Sequence, residues 1–154
     1  MGAPFSDIGI NPPRSNRVRN KGGVATVVGI TYGMVVISDT GTTNFRDCKL
    51  PAGAGGQGVY GVVQDQGDPN NGGAFAIGDE FGVCDDGYSE VLLDAGQTAT
   101  KGQPFITGAT PGTVKPIGGE AAPYDIVGFF EQTLTAGASP TLVSGRLNIH
   151  RRQA

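Results

Sequence analysis

The sequence predicts an all-β protein: a small β-barrel or β-tulip-like domain, or a sandwich, preceded by an extended N-terminal arm. Three observations carry that expectation. Short runs of valine, leucine, isoleucine and phenylalanine are cut every few residues by glycine, aspartate or proline. The 27 glycines and 10 prolines are spread between those runs and not gathered in one tract, which sets the chain apart from low-complexity disorder. Helix formers are scarce in any window of about a dozen residues, and no stretch has the spacing of an amphipathic helix. At 154 residues the chain can bury one full core, so one domain is expected over residues 23–154, with residues 1–22 as the arm.

Residues 1–21 hold Gly, Pro, Asn, Ser and Arg with little hydrophobic pattern, and Pro12-Pro13 imposes an extended conformation. Fully extended, this arm reaches on the order of 70 Å at ~3.3 Å per residue, beyond the diameter of its own domain. Phe5, Ile8 and Ile10 supply apolar anchors that a purely solvated tail does not need, and Arg14, Arg17, Arg19 and Lys21 supply positive charge. The expected partner-binding residues are therefore Phe5, Ile8, Ile10, Pro12, Pro13, Arg14, Arg17, Arg19 and Lys21.

The ordered domain is expected to begin near Gly22-Gly23. Residues 24–32 are β-branched and apolar, Gly33 breaks the run, and residues 34–38 resume it before the turn at 39–41. The segment 43–50 is mixed, and 51–58 is too rich in glycine for regular structure. Residues 59–63 read as a core strand, and 64–73 as an exposed loop. The stretch 73–116 has the grammar of a meander. Residues 80–84 and 89–93 are two extended runs, and Asp85-Asp86-Gly87-Tyr88 between them offers the residue types of a tight hairpin. A turn at 94–96, a short run at Phe105-Ile106 and a further turn at 108–112 follow. Residues 125–131 and 141–149 are the last strands. In the final one, Val143, Leu147 and Ile149 alternate with Ser144, Arg146, Asn148 and His150, as on a strand with one wet face.

The net charge of −3 conceals polarity along the chain. Asp65, Asp68, Asp79, Glu80, Asp85, Asp86, Glu90 and Asp94 lie in a stretch without a basic residue, whereas both chain ends are basic. Such an asymmetry suits contact between subunits, the tail of one copy lying on the acidic face of another. The arm lacks aromatic residues among its cations and the body is acidic, so direct nucleic-acid binding is not expected.

Catalytic patterns are missing. The single histidine, His150, stands beside two arginines near the end, and no GxSxG, HExxH or CxxC pattern occurs. The segment 108–115 resembles a phosphate loop only loosely. The acidic loops around Asp65, Asp68, Asn70 and Asn71, and around Asp85, Asp86 and Glu90, offer oxygen ligands without the twelve-residue calcium pattern. No enzyme activity, cofactor or metal is expected. Cys48 and Cys84 read as reduced, part-buried thiols. No apolar run is long enough to cross a bilayer and no signal-peptide pattern opens the chain, which points to a soluble protein made in a cytoplasm.

With these signals in order, residues 24–149 resemble the phage capsid decoration, or cement, proteins. The resembling features are LPAGAGGQGVYGVV at 50–63, Gly82-Val83, KGQPFITG at 101–108, GTVKP at 112–116, IVGFFE at 126–131 and LVSGRLN at 142–148. The resemblance implies a non-catalytic β protein on the exterior of an icosahedral shell, made in a bacterial host. It implies the major capsid protein as partner, a homotrimer on the shell, and no membrane. The arm then becomes a strap between subunits. The alternative is a receptor- or carbohydrate-binding β module of a head or tail fibre, against which the lack of tryptophan counts.

Overall fold

The computed structural model describes residues 19–153. Its strands are β1 (Arg19–Ala25), β2 (Val35–Ser38), β3 (Asp47–Lys49), β4 (Val59–Val63), β5 (Glu80–Leu93), β6 (Thr98–Ala99), β7 (Pro104–Thr107), β8 (Val114–Pro116), β9 (Tyr124–Phe130), β10 (Leu134–Thr135) and β11 (Thr141–Arg152). The one helical turn among these residues is a 3-10 turn at Pro69–Asn71. The all-β expectation holds, and the architecture is a barrel and not a sandwich. A nine-stranded sheet runs β1-β3-β2-β4-β5-β11-β9-β7-β8, and the pairing of β1 with β5 closes its first five strands into a ring. The far end also returns to β5, through a parallel contact between Leu93 and Val114. Closure leaves few free edges for unwanted strand pairing.

Two apolar clusters fill this frame. One holds Val91, Leu93, Phe105, Val114, Val127, Phe130, Val143 and Leu147. The other holds Ala25, Ile30, Val36, Cys48, Val63, Phe75, Phe81 and Val83. Neighbouring residues on three strands divide between them: Val35 and Val36 on β2, Val62 and Val63 on β4, Cys84 and Val83 on β5. Successive side chains on a strand point to opposite faces, so β2, β4 and β5 form a wall buried on both sides. This explains the unbroken valine pairs in those strands, where a half-wet strand would alternate. One core was expected; the shared wall lets the chain build two that are not independent. Tilted aromatic pairs pack each cluster, Phe105 with Phe130 at 4.7 Å between centroids and Phe75 with Phe81 at 5.0 Å.

The hairpin expected at residues 85–88 does not form. β5 runs through it as one strand of 14 residues. Instead, the register against β1 shifts between Arg19 and Asn20, leaving Asp85 as an extra residue, and Gly87 takes a φ of 98°. Aspartate and glycine suit a β-bulge as well as a turn, because both need backbone outside the regular β region. The bulge has a consequence for the fold. Phe81 and Val83 face the second cluster, whereas Val91 and Leu93, also odd-numbered, face the first. One strand therefore passes from one core to the other without leaving the sheet.

Strand pairing is already present ahead of Gly22, where the hydrophobic pattern gives no sign of it. β1 begins at Arg19, and residues 19–24 pair with β5 from Asp86 to Glu80. Main-chain pairing, which hydrophobic patterning cannot report, places this polar segment in the sheet. Gly23 is packed over by the core: a Cβ there would lie 2.9 Å from Phe81 Cε1 and 3.0 Å from Val83 Cγ2. The apolar run at 24–32, by contrast, leaves the sheet after Ala25; Ile30 is buried, and Val28 is 71% exposed.

Candidate binding face

β5 and β11 pair without interruption from Leu93–Thr141 to Asp86–Asn148. Their inward residues, Val91, Leu93, Val143 and Leu147, belong to the core. Their outward residues meet in direct cross-strand pairs: Leu92 with Leu142, Glu90 with Ser144, Tyr88 with Arg146, and Asp86 with Asn148. The alternation in the last strand thus holds until a register shift against β9 between Leu147 and His150. The Arg146 guanidinium lies 5.7 Å from the Tyr88 ring centroid, within reach of a cation–π attraction. Tyr32 donates its hydroxyl hydrogen to Glu90 Oε1 at 2.8 Å. Partial burial first, and the Glu90 carboxylate second, push the Tyr32 phenol above its ordinary pKa. Gln64 Nε2 donates to Ser89 Oγ at 2.8 Å from the adjoining loop.

Two depressions flank the Tyr88–Arg146 pair. One, of about 470 Å3, is lined by Asp86, Phe129, Glu131, Arg146, Leu147 and Asn148. The other, of about 350 Å3, is lined by Tyr32, Gln64, Tyr88, Ser89, Glu90 and Ser144. Tyrosine, arginine and phenylalanine are the residue types enriched where proteins bind one another. The face was not singled out from the sequence. Its signal, polar and aromatic residues at every second position of two strands, becomes a face only once those strands are known to pair.

Of the arm residues expected to bind a partner, Phe5, Ile8, Ile10, Pro12, Pro13, Arg14 and Arg17 lie outside the described residues. Arg19 is the first residue of β1, opposite Asp86. Lys21 is engaged in its own chain, with Nζ 3.1 Å from Asp85 Oδ2 and 3.7 Å above the Tyr60 ring. Tyr60 donates in turn to the Gly22 carbonyl at 2.6 Å.

The acidic loops use their carboxylates locally. Asp65 Oδ2 accepts from the Gly82 amide at 2.6 Å, and Asp68 accepts from the Asn70 amide at 2.9 Å, capping the 3-10 turn. Among the described residues no three His, Cys, Asp or Glu side chains converge as a metal site. The loose phosphate-loop segment is a hairpin turn held by Asp94, which accepts from the Ala95, Ala109 and Thr110 amides. Burial pushes the Asp94 carboxyl up, but the Thr110, Ala95 and Ala109 hydrogen bonds outweigh it and hold the pKa below the ordinary value. Lys115 closes an ion pair with Glu120, so its ammonium is already partnered. His150 stacks on Phe129 at 6.4 Å, and its Nδ1 lies 2.7 Å from the Asn148 carbonyl. Neither cysteine forms a disulfide among the described residues; both are fully buried, deeper than expected, and desolvation pushes the Cys48 thiol up to about 11.

No family model matches the chain, and no curated protein matches it in sequence. Among solved structures it is similar to the N base of head fiber gp8.5 of bacteriophage phi29. The two share 16% sequence identity with a TM-score of 0.53, over 86% of this chain and 95% of that one. At that identity the likeness is one of fold, and it extends over almost the whole of that N-base chain.

Proposed function

We propose that this chain is a structural protein of a phage virion, a decoration or cement protein on the outside of the capsid that ties neighbouring major capsid subunits together. The observation that carries the reading is the shared fold with a phage head fibre base across nearly its full length. The cross-strand face of Tyr88, Arg146, Glu90 and Leu142 adds a surface of the composition that protein contacts favour. In this reading the protein does no chemistry. Each copy needs only modest affinity, since a homotrimer touching several shell subunits gains through effective concentration. The basic arm acts as a strap to a neighbouring subunit, adding contacts to those of the β body.

The phage neighbour is a head fibre component, which keeps a second reading in view: a receptor- or carbohydrate-binding module of a fibre. A copy count separates the two. Particles are purified from producing cells and this 15.7 kDa chain is quantified against the most abundant shell protein. A ratio near one to one, with particle stability lost when the chain is stripped, is the cement outcome. A few copies per particle, with saturable binding on a glycan screen, is the fibre outcome. Absence from particles overturns both.

A further inference from the structure

We infer that the groove running from Tyr88 past Tyr32 to Leu142 binds a neutral oligosaccharide, with the two tyrosine rings against sugar faces and Glu90, Gln66 and Ser144 on sugar hydroxyls. The inference rests on the carbohydrate-binding reading above and gives it a site; the Arg146 side of the face is left for protein contact. The first argument is shape. The depression of about 350 Å3 beside Tyr88 adjoins another of about 260 Å3, lined among others by Thr31, Gln66, Gly72, Leu92 and Leu142. Tyr32 lines both, so together they make one groove along the outer side of β5 and β11. Small-ligand sites start near ~300 Å3, so this groove suits a ligand of more than one ring.

The second argument is rigidity. Tyr32 stands in a turn closed by the Met34 amide on the Thr31 carbonyl at 3.3 Å. The next residue ties that turn to two strands: the Gly33 amide donates to the Val63 carbonyl, and the Leu92 amide donates to the Gly33 carbonyl, both at 3.0 Å. Gly33 has a φ of 79°, and a Cβ there would lie 2.6 Å from Leu142 Cδ2, so the turn is seated directly on the Leu92–Leu142 pair. Glu90 then holds the Tyr32 hydroxyl. A ring fixed at both ends loses little freedom when a ligand arrives.

The third argument is chemistry. No Lys, Arg or His lines either depression, and the one charged lining residue is Glu90. Such a lining gives no compensation to a phosphate, sulfate or carboxylate. A purely aliphatic ligand would in turn leave the amide, hydroxyl and carboxylate groups of the lining without partners. A sugar ring matches both halves: its C–H faces suit tyrosine, and its hydroxyls suit the polar groups. Among the described residues, Glu90 Oε2, the Gln66 side-chain amide and the Ser144 hydroxyl form no hydrogen bond and are open to a ligand. Two tyrosines thus supply the stacking surface that the missing tryptophan would otherwise give.

The test uses the isolated full chain on an array of neutral oligosaccharides cleaved from bacterial surface polysaccharides, with a phosphate-rich teichoic acid fragment as the anionic comparison. Saturable binding to a neutral member is expected, with amide shift changes at Tyr32, Ser89, Glu90 and Ser144. Tyr32→Ala and Tyr88→Ala should each weaken it about tenfold, equivalent to ~1.4 kcal/mol. Tyr32 is half-buried, so Ser144→Arg on the exposed face provides a variant that spares the fold: it should block the groove at an unchanged melting temperature. Lys101→Ala, exposed and lining neither depression, should bind as wild type. Binding that survives all three groove variants overturns the inference and moves the carbohydrate site elsewhere. Binding to the teichoic acid fragment alone overturns the neutral class. Binding to no member of the array overturns the inference and the carbohydrate reading together, while the copy count still decides whether the chain belongs to the virion.

Discussion

Val63→Ala tests whether the two cores form one cooperative unit. Val63 is fully buried in the cluster with Phe81 and Val83, while its neighbour Val62 is fully buried in the cluster with Phe105 and Phe130. The substitution removes two buried methyl groups, ~1.6 kcal/mol at ~0.8 kcal/mol each. A rigid wall cannot collapse fully onto the void, and the unfilled cavity raises the cost to about 2–3 kcal/mol. For a domain of this size, that lowers the melting temperature by roughly 4–12 °C. The assay is thermal unfolding by circular dichroism together with native-state amide exchange. β5 passes through both cores and β2 and β4 are buried on both faces, so the loss should spread. Protection at Val127 and Leu147, in the core that Val63 does not touch, should fall as much as protection at Ala25 and Cys48. If Val127 and Leu147 keep their wild-type protection while Ala25 and Cys48 lose theirs, the wall does not couple the cores and the reasoning is wrong.

Three further outcomes are expected. Gly87→Ala forces an L side chain onto a φ of 98° and should cost about 1–2 kcal/mol in urea unfolding, whereas a freely adjusting bulge would show no change. Asp94 and Glu120 have pKa values below their ordinary ones. The stability each contributes is therefore complete above the unfolded carboxylate range, about pH 4, and is lost as pH falls through the lower folded values. Asp94→Asn should flatten the decline in melting temperature below pH 4, and an acid limb identical to wild type would count against the role given to the Asp94 hydrogen bonds. Removing residues 1–18 should weaken attachment to shells while leaving the β domain folded. A longer deletion, to residue 21, also removes part of β1 and should lower thermal stability; equal stability of the two truncations would contradict the placement of β1.

Much of the fold was legible in the sequence, for local reasons. Glycine and proline spread between short β-branched runs specify an all-β chain, and the alternation of Val143 and Leu147 with Ser144 and Arg146 marks a strand with one wet face. Turn chemistry at 94–96 is likewise local, since Asp94 accepts from the next residue's amide, whereas its hold on the turn at 108–112 reaches across 15 residues. Which of two equivalent uses a local signal serves is not a local matter. Asp85-Asp86-Gly87 can make a hairpin or a bulge, and the pairing of β1 and β11 along β5 selects the bulge. The polar residues 19–22 became a strand because an edge of β5 was available to pair with their amides. Tyr88 and Arg146 are 58 positions apart, so no reading of periodicity could place them together; the register of β5 on β11 does so. What the sequence determined by itself was the alphabet of short strands and turns, set by backbone preference and burial. Closure of the ring, the wall with two buried faces and the face of Tyr88 and Arg146 were decided by the tertiary structure, because each depends on contacts between residues far apart along the chain.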